Sequence, residues 1–278
     1  MRKSMRKPLL LLPALFVLLL GILLWHPWGP QGDTPATPGP AARVDPPPAG
    51  PSTADLPAPP PDAAEPLYTR GPTSKGGTGK YYMGREIATV LGHAGIDWLE
   101  RPERETEEEP SKAVAALDLP PDAVIADIGS GSGYYSFRIA PLVPDGQVIA
   151  VDIQAEMLAA LDARAEDQGI GNVATHLGTL QDTLLDPESI DAAIMVDAYH
   201  EFSHPREMME SIVEALRPGG RVFLIEYRAE DPAVMMLEPH EMSEAQARRE
   251  MEAVGLEWTR TDAFLPMQHF MVFRKPAD

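Results

Sequence analysis

The chain has 278 residues, with 42 acidic against 23 basic side chains, a formal net charge of −19 and no cysteine. That length allows one large domain or two small ones, and the missing thiols exclude disulfides, cysteine nucleophiles and cysteine-built zinc sites. The only basic side chains of the first 25 residues (Arg2, Lys3, Arg6 and Lys7) stand there without an acid, so the rest of the chain is strongly acidic; a phosphate backbone is repelled by such a surface, and no nucleic-acid partner is expected.

Behind the basic cluster, Pro8 to Trp25 is an uncharged apolar run of 18 residues. As a helix it would reach about 27 Å, close to the roughly 30 Å of bilayer hydrocarbon. A cleaved signal peptide is the rival reading. The length of the run, the lack of a small-x-small site behind Trp25 and the interfacial character of His26-Pro27-Trp28 favour an uncleaved signal anchor over residues 1–25. Positive charge stays on the cytoplasmic side, so the expectation is a single-pass protein of the inner (cytoplasmic) membrane with its remaining chain in the periplasm.

From His26 to Pro66 there are 14 prolines among 41 residues. Proline fixes φ and withholds a donor, so this stretch reads as an extended spacer. Gly71–Lys80 (GPTSKGGTGK) superficially matches a phosphate-binding loop, but Tyr81 stands where the magnesium-binding Ser or Thr belongs and no strand precedes it. It reads as a continuation of the linker, which then spans 26–80, with the folded domain over 81–278.

Within that domain, the first part (81–118) reads as a helical extension. Ile87, Val90 and Leu91 sit at helical spacing with Gly92 as a stop, and Ser111 opens a short helix through Leu117. Tyr81, Tyr82 and Met83 are candidates for a lid, with simple packing as the plainer role. From Ala123 strands and helices alternate. Strands are expected at Val124–Ile128, Val148–Val151, Val173–Leu177, Ala192–Val196 and Arg221–Tyr227, and helices at Tyr135–Ala140, Ala155–Gln168 and Pro205–Leu216. Such alternation implies a parallel sheet covered on both faces. Helix Ser243–Val254 and a hairpin of strands Glu257–Phe264 and His269–Arg274 close the chain.

The segment Asp127-Ile128-Gly129-Ser130-Gly131-Ser132-Gly133-Tyr134 leaves a buried strand and enters a helix, where an open α/β sheet presents its ligand crevice. Glycines let a ligand approach the main chain without a Cβ in the way. Asp152 follows the second strand, 19 residues after Gly133, where a carboxylate can accept both ribose hydroxyls of an adenosine-containing cofactor. The glycines fall at 129, 131 and 133, so the third comes one residue early for a dinucleotide fingerprint. Asp127 adds a negative charge that suits an ammonium and a sulfonium better than two phosphates.

The stretch from about 111 to 275 resembles the class I S-adenosylmethionine (SAM)-dependent methyltransferase family. DIGSGSG at 127–133 matches its first motif, VDI at 151–153 its acidic second motif and LRPGG at 216–220 its turn before strand five. The small-molecule branch, including quinone C-methyltransferases, is the most similar. The resemblance implies an α/β, Rossmann-like seven-stranded sheet in the order 3-2-1-4-5-7-6, last strand antiparallel, with helices on both faces, and S-adenosyl-L-methionine as cofactor. It also implies that Asp127, Gly129 and Gly131 line the methionine end and that Asp152 holds the ribose. Ser130, Gly133, Ile153, Asp182 and Asp197 complete the expected cofactor set. Where the family often places an Asp near the adenine amino group, this chain offers Thr179, with Asp182 three residues later.

His200-Glu201-Phe202-Ser203-His204 satisfies the zinc-protease pattern H-E-x-x-H, but Pro205 disfavours the helix which that chemistry needs, and no metal is expected there. His200 and Tyr199, at the end of strand four, are instead the candidate catalytic residues facing a small-molecule methyl acceptor. SAM supplies the reactive group; the protein aligns the acceptor, and His200 could take a proton. Glu226, Tyr227, Gln268 and His269 on the same edge, and His240 in a possible covering loop, are second-tier candidates. The reading is a SAM-dependent methyltransferase. A non-catalytic module that binds SAM or S-adenosylhomocysteine, a nucleotide fold that has lost its cofactor, and an NAD-dependent oxidoreductase are the alternatives.

Overall fold

A computed structural model of the protein describes residues 67–277. The expected membrane anchor and most of the proline-rich spacer lie outside the described residues, among which no helix is long and apolar enough to cross a membrane.

The strands β4 (Val124–Ile128), β5 (Gln147–Asp152), β6 (Val173–Leu177), β7 (Ile190–Val196) and β8 (Leu216–Arg228) run parallel, and β11 (Gln268–Arg274) runs antiparallel between β8 and β10 (Glu257–Asp262). Across the sheet the order is β6-β5-β4-β7-β8-β11-β10, which is 3-2-1-4-5-7-6 when the main strands are counted along the chain. A two-residue strand, β9 (Glu241–Met242), pairs parallel to the end of β8.

Side chains alternate between two buried faces, as period-two geometry requires. Ala126, Ala193, Met195, Val222 and Leu224 pack on one face with α6 (Pro205–Ala215) and α7 (Glu244–Glu252). Ile125, Ala192, Ile194, Phe223 and Ile225 pack on the other with α3 (Pro110–Ala115) and α4 (Ser136–Ile139). Leu161 and Ala165 of α5 (Ala155–Gln168) cover Ala150 and Phe137. Each fully buried large apolar side chain contributes roughly 1.5–3 kcal/mol. Helix ends follow local chemistry: Pro205 opens α6, Ser243 Oγ accepts the Gln246 N–H at the start of α7, and Gly169 (φ 64°) ends α5 in a left-handed cap.

The region before α3 differs from the sequence expectation. Three antiparallel strands, β1 (Tyr68–Arg70), β2 (Gly77–Tyr82) and β3 (Arg85–Ala88), precede two short helices, α1 (Ile96–Leu99) and α2 (Arg104–Glu108). Folded structure therefore begins inside the stretch read as linker, and no helix covers Ile87, Val90 and Leu91. Ile87 is buried within β3, whereas Val90 and Leu91 lie beyond it. Met83 (φ 48°) and Gly84 (φ 90°) form a two-residue turn with both φ positive, the geometry that joins twisted strands. The glycine-rich segment 71–80 is pinned by Glu86, whose carboxylate accepts the Ser74 N–H, the Ser74 hydroxyl and the Gly79 N–H. A Cβ at Gly77 would sit 2.2 Å from Glu86 Oε1, so glycine there makes room for a carboxylate and not for a phosphate.

Candidate functional site

A cavity of about 350 Å³ opens at the C-terminal edge of the parallel strands. That is where an open α/β sheet binds its ligands.

One end is built by the loop after β4. Gly129 (φ 74°), Gly131 (φ 53°) and Gly133 (φ 80°) all take left-handed conformations that side chains disfavour. The loop is tied to β5: the Gly129 and Ser130 N–H groups donate to the Val151 carbonyl, and the Gly131 N–H donates to Asp152 Oδ2 at 2.9 Å. Asp152 Oδ1 accepts the Gln154 N–H at 2.9 Å. Burial raises the Asp152 carboxyl above its usual value, while these backbone donors pull it back. Gly129, Gly131, Asp152 and Ile153 line the cavity, together with Gly178, Thr179 and Leu180.

The other expected cofactor residues divide. Asp197, in a left-handed conformation (φ 49°) just past β7, lines the cavity. Its Oδ2 accepts from Gln268 Nε2 at 2.8 Å, while the buried Oδ1 has no hydrogen-bond partner among the described residues. Burial and the charges of Glu108 and Glu226 push its carboxyl well above the usual range. Asp127, Ser130 and Gly133 sit behind the loop instead. Asp127 is buried, accepts the Ser136 hydroxyl at 2.6 Å and is pushed up to about 6 by burial, with the Asp152 charge adding to the effect. Ser130 lines a small recess there with Asp127, and Gly133 packs on Leu161 and Phe137. Asp182 does not line the cavity: its Oδ1 accepts from the Leu184 N–H and the Ser211 hydroxyl, so the segment from Gly178 to Leu180 takes the place expected of it.

The far end is made of side chains. His200 lies in a single helical turn, Tyr199–Glu201, after β7. Its Nδ1 is 2.5 Å from Glu226 Oε2 and its Nε2 is 3.1 Å from His240 Nδ1. Glu201 also lines this end and is pushed up to about 7 by burial, against the pull of His200. Tyr199 is elsewhere: wholly buried, it donates to Glu250 Oε2 at 2.8 Å. The Arg85 guanidinium grips the same carboxylate with two 2.9 Å bonds and donates to the His200 carbonyl at 3.2 Å. Tyr199 is thus a positioning residue under the His200 turn. His204 is apart from His200, with its Nδ1 3.0 Å from Ser203 Oγ, so the H-E-x-x-H pattern does not form a two-histidine site.

The segment from Val90 to Glu108 roofs the cavity with Val90, Leu91, Trp98, Leu99 and Arg104. Leu91 N donates to Glu201 Oε2, and Gln154 Nε2 donates to the Leu91 carbonyl. Glu108 would be raised by burial, but Arg104 and Arg101 beside it hold it below its usual value. Tyr81, Tyr82 and Met83 do not line the cavity; Tyr82 is buried and Tyr81 donates to the Pro72 carbonyl. The roof carries no reliable local signal: the helical spacing of Val90 and Leu91 corresponds to no helix, and Trp98, Leu99 and Arg104 lie in helices of four or five residues and at their ends.

Residues 125–220 match the family model described as a methyltransferase domain. Over those residues the chain is similar to the class I SAM-dependent methyltransferases. The chain is 30% identical over 111 residues to an uncharacterized methyltransferase, YcgJ, of Bacillus subtilis, covering 40% of this chain and 43% of that protein. It is 26% identical over 113 residues to the ubiquinone/menaquinone biosynthesis C-methyltransferase UbiE of Pseudomonas fluorescens, covering 40% and 44%. In both cases less than half of the relative's length is spanned. The crystal structure of a SAM-dependent methyltransferase from Aquifex aeolicus superposes with a TM-score of 0.63 at 21% identity, over 66% of this chain and 99% of that one, and shows a shared fold.

The residues present fit the cofactor of this methyltransferase family. A carboxylate at the end of β5, a loop whose Gly129 and Gly131 bring no Cβ to the cavity and an unpartnered Asp197 oxygen suit the ribose hydroxyls, the sulfonium region and the ammonium of SAM.

Proposed function

We propose that this chain is a SAM-dependent methyltransferase acting on a small-molecule acceptor, bound between the glycine loop and the His200 end of the cavity. The observation that carries the reading is the juxtaposition in one cavity of Asp152, the glycine loop and the partnerless Asp197 Oδ1 with a separate imidazole end. SAM, when bound, supplies an electrophilic methyl on a sulfonium that is already a good leaving group. Asp152 would accept the ribose hydroxyls and Asp197 would accept from the ammonium. Ile153 and Leu180 offer apolar surface beside the base. The roof from Val90 to Glu108 excludes water, which strengthens every polar contact beneath it. Glu226 fixes the His200 Nδ1–H, leaving the Nε2 lone pair turned into the cavity. That lone pair can take a proton from an acceptor that must lose one.

The test is turnover. The full chain incubated with methyl-labelled SAM and a small-molecule extract should release S-adenosylhomocysteine and move label into an organic product. Binding of SAM that leaves it intact with every extract fraction would make this a sensing module instead. Enhanced NADH fluorescence on mixing would favour the oxidoreductase alternative.

The proposal extends to location: residues 1–25 as an uncleaved anchor in the inner membrane, with the domain on the periplasmic side. Its support is the uncharged run Pro8 to Trp25 behind four basic residues. Alkaline phosphatase fused after residue 278 should be active. Activity of a cytoplasm-only reporter at that position would reverse the orientation, a point of consequence because SAM is made in the cytoplasm.

A further inference from the structure

We infer that His200, Glu201 and His240 form a binding site for one divalent first-row transition-metal ion at the acceptor end of the cavity. Three atoms face one another there: His200 Nε2 and His240 Nδ1 are 3.1 Å apart, and Glu201 Oε1 is 3.9 Å from each. The point equidistant from all three lies about 2.1 Å from each atom, which is the length of a zinc–nitrogen or zinc–carboxylate bond. A single cation at that point would contact all three atoms at bonding distance.

The fold explains how residues so far apart in sequence meet. β9 pairs with the end of β8 at Tyr227↔Glu241, so His240, one residue earlier, is delivered beside Glu226. Glu226 holds His200 from behind through Nδ1 at 2.5 Å. A carboxylate on the outer nitrogen of a histidine is the usual support of a metal ligand, since it fixes the tautomer and aims the other lone pair. The outer edge of the His240 ring lies against Gly76. The two facing nitrogens, 3.1 Å apart, can share a proton or a cation. A proton shared by the two nitrogens would not engage Glu201 Oε1, whereas a cation would engage all three atoms.

Two imidazoles and one carboxylate, with no thiolate anywhere in the chain, select zinc, iron(II), cobalt(II) or nickel(II) over magnesium and calcium, which prefer oxygen-only shells. All three ligand residues line the cavity, so a metal here keeps positions open to it. A metal on Nε2 would replace proton acceptance at Nε2, which belongs to the metal-free protein. The site itself does not depend on the methyl-transfer reading. Its use to bind an oxygen of the acceptor does rest on that reading.

The test uses the full chain without a histidine tag, stripped with chelator and titrated with Zn²⁺, then with Co²⁺ followed by visible absorption. One equivalent should bind at micromolar concentration or below, excess Mg²⁺ should not displace it, and cobalt should give ligand-field bands of a low-coordinate site. His240→Ala and, separately, Glu201→Gln should each weaken zinc binding at least tenfold, with folding checked by circular dichroism, whereas His204→Ala should leave it unchanged. Absence of stoichiometric uptake, or uptake equally strong in both His240→Ala and Glu201→Gln, would overturn the inference. SAM binding by the stripped protein, measured in parallel, separates failure of the metal site from failure of the cofactor assignment.

Discussion

At one end of the cavity the groups that meet a ligand are largely main chain, drawn from residues 129–154 around a single sheet edge. At the other they are side chains: His200 and Glu201 from the turn after β7, Glu226 from β8, His240 from the turn before β9, with Val90 to Glu108 overhead. The first end is rigid because backbone hydrogen bonds to Val151 and Asp152 hold the loop whatever the neighbouring side chains do. The second depends on long-range anchors, chiefly the buried Arg85–Glu250–Tyr199 cluster that joins the N-terminal sheet to α7 and the His200 turn. One end is therefore suited to a constant cofactor, the other to a variable acceptor.

The largest expected effect breaks the side-chain end. Arg85→Ala leaves the wholly buried Glu250 carboxylate without its cation and should cost about 3–5 kcal/mol in denaturant unfolding. The double substitution Arg85→Met with Glu250→Leu should recover much of that, and an unfolding midpoint unmoved by Arg85→Ala would show that the N-terminal sheet is not held through this pair. Next comes the main-chain end. Gly133→Ala forces a side chain to φ 80° with its Cβ 2.8 Å from Leu161 and Phe137, and should cost roughly 1–3 kcal/mol. It should weaken SAM binding while the zinc titration stays unaltered; loss of both together would deny that the two ends are separately built.

A smaller effect is set by pH. Asp127 ionises near 3.8 in the unfolded chain and at about 6 in the folded protein, because burial opposes its charge. Between those values the native state keeps a proton that the unfolded state has released, so this group's contribution to stability declines as pH rises from about 4 to about 6. Asp127→Asn should flatten that part of the stability profile by up to about 3 kcal/mol. An identical pH dependence in the variant would mean that Asp127 is better solvated than its surroundings imply.

The same contrast governs what could be read from the residues. The β4-loop-β5 unit was legible because its signals are local: an apolar strand, three glycines, then an acid after the next strand. The sheet order, which the resemblance implied, and helix α5 with its Gly169 cap agree with the structure. The His200–His240 pair carries no such signature, being 40 residues apart and brought together through the pairing of β9 with β8. Pro205 correctly argued against a helix carrying both His200 and His204, yet nothing local pointed to His240 as the partner of His200. Ile87, Val90 and Leu91 mimicked a helical face by spacing alone, while the informative residue was Gly84, half of a hairpin turn. Tyr199 and Asp182 were placed in the site by their position after strands; burial against Glu250 and capping of Leu184 took them out of it.

The central claim is that Asp152 and the glycine loop hold the adenosyl part of SAM. Calorimetric titration of the full chain with SAM and with S-adenosylhomocysteine, wild type against Asp152→Ala, tests it most directly. Micromolar binding weakened at least tenfold by the substitution, about 1.4 kcal/mol or more, is the predicted result. Equal affinity in the two proteins, or no heat with either compound, would contradict it.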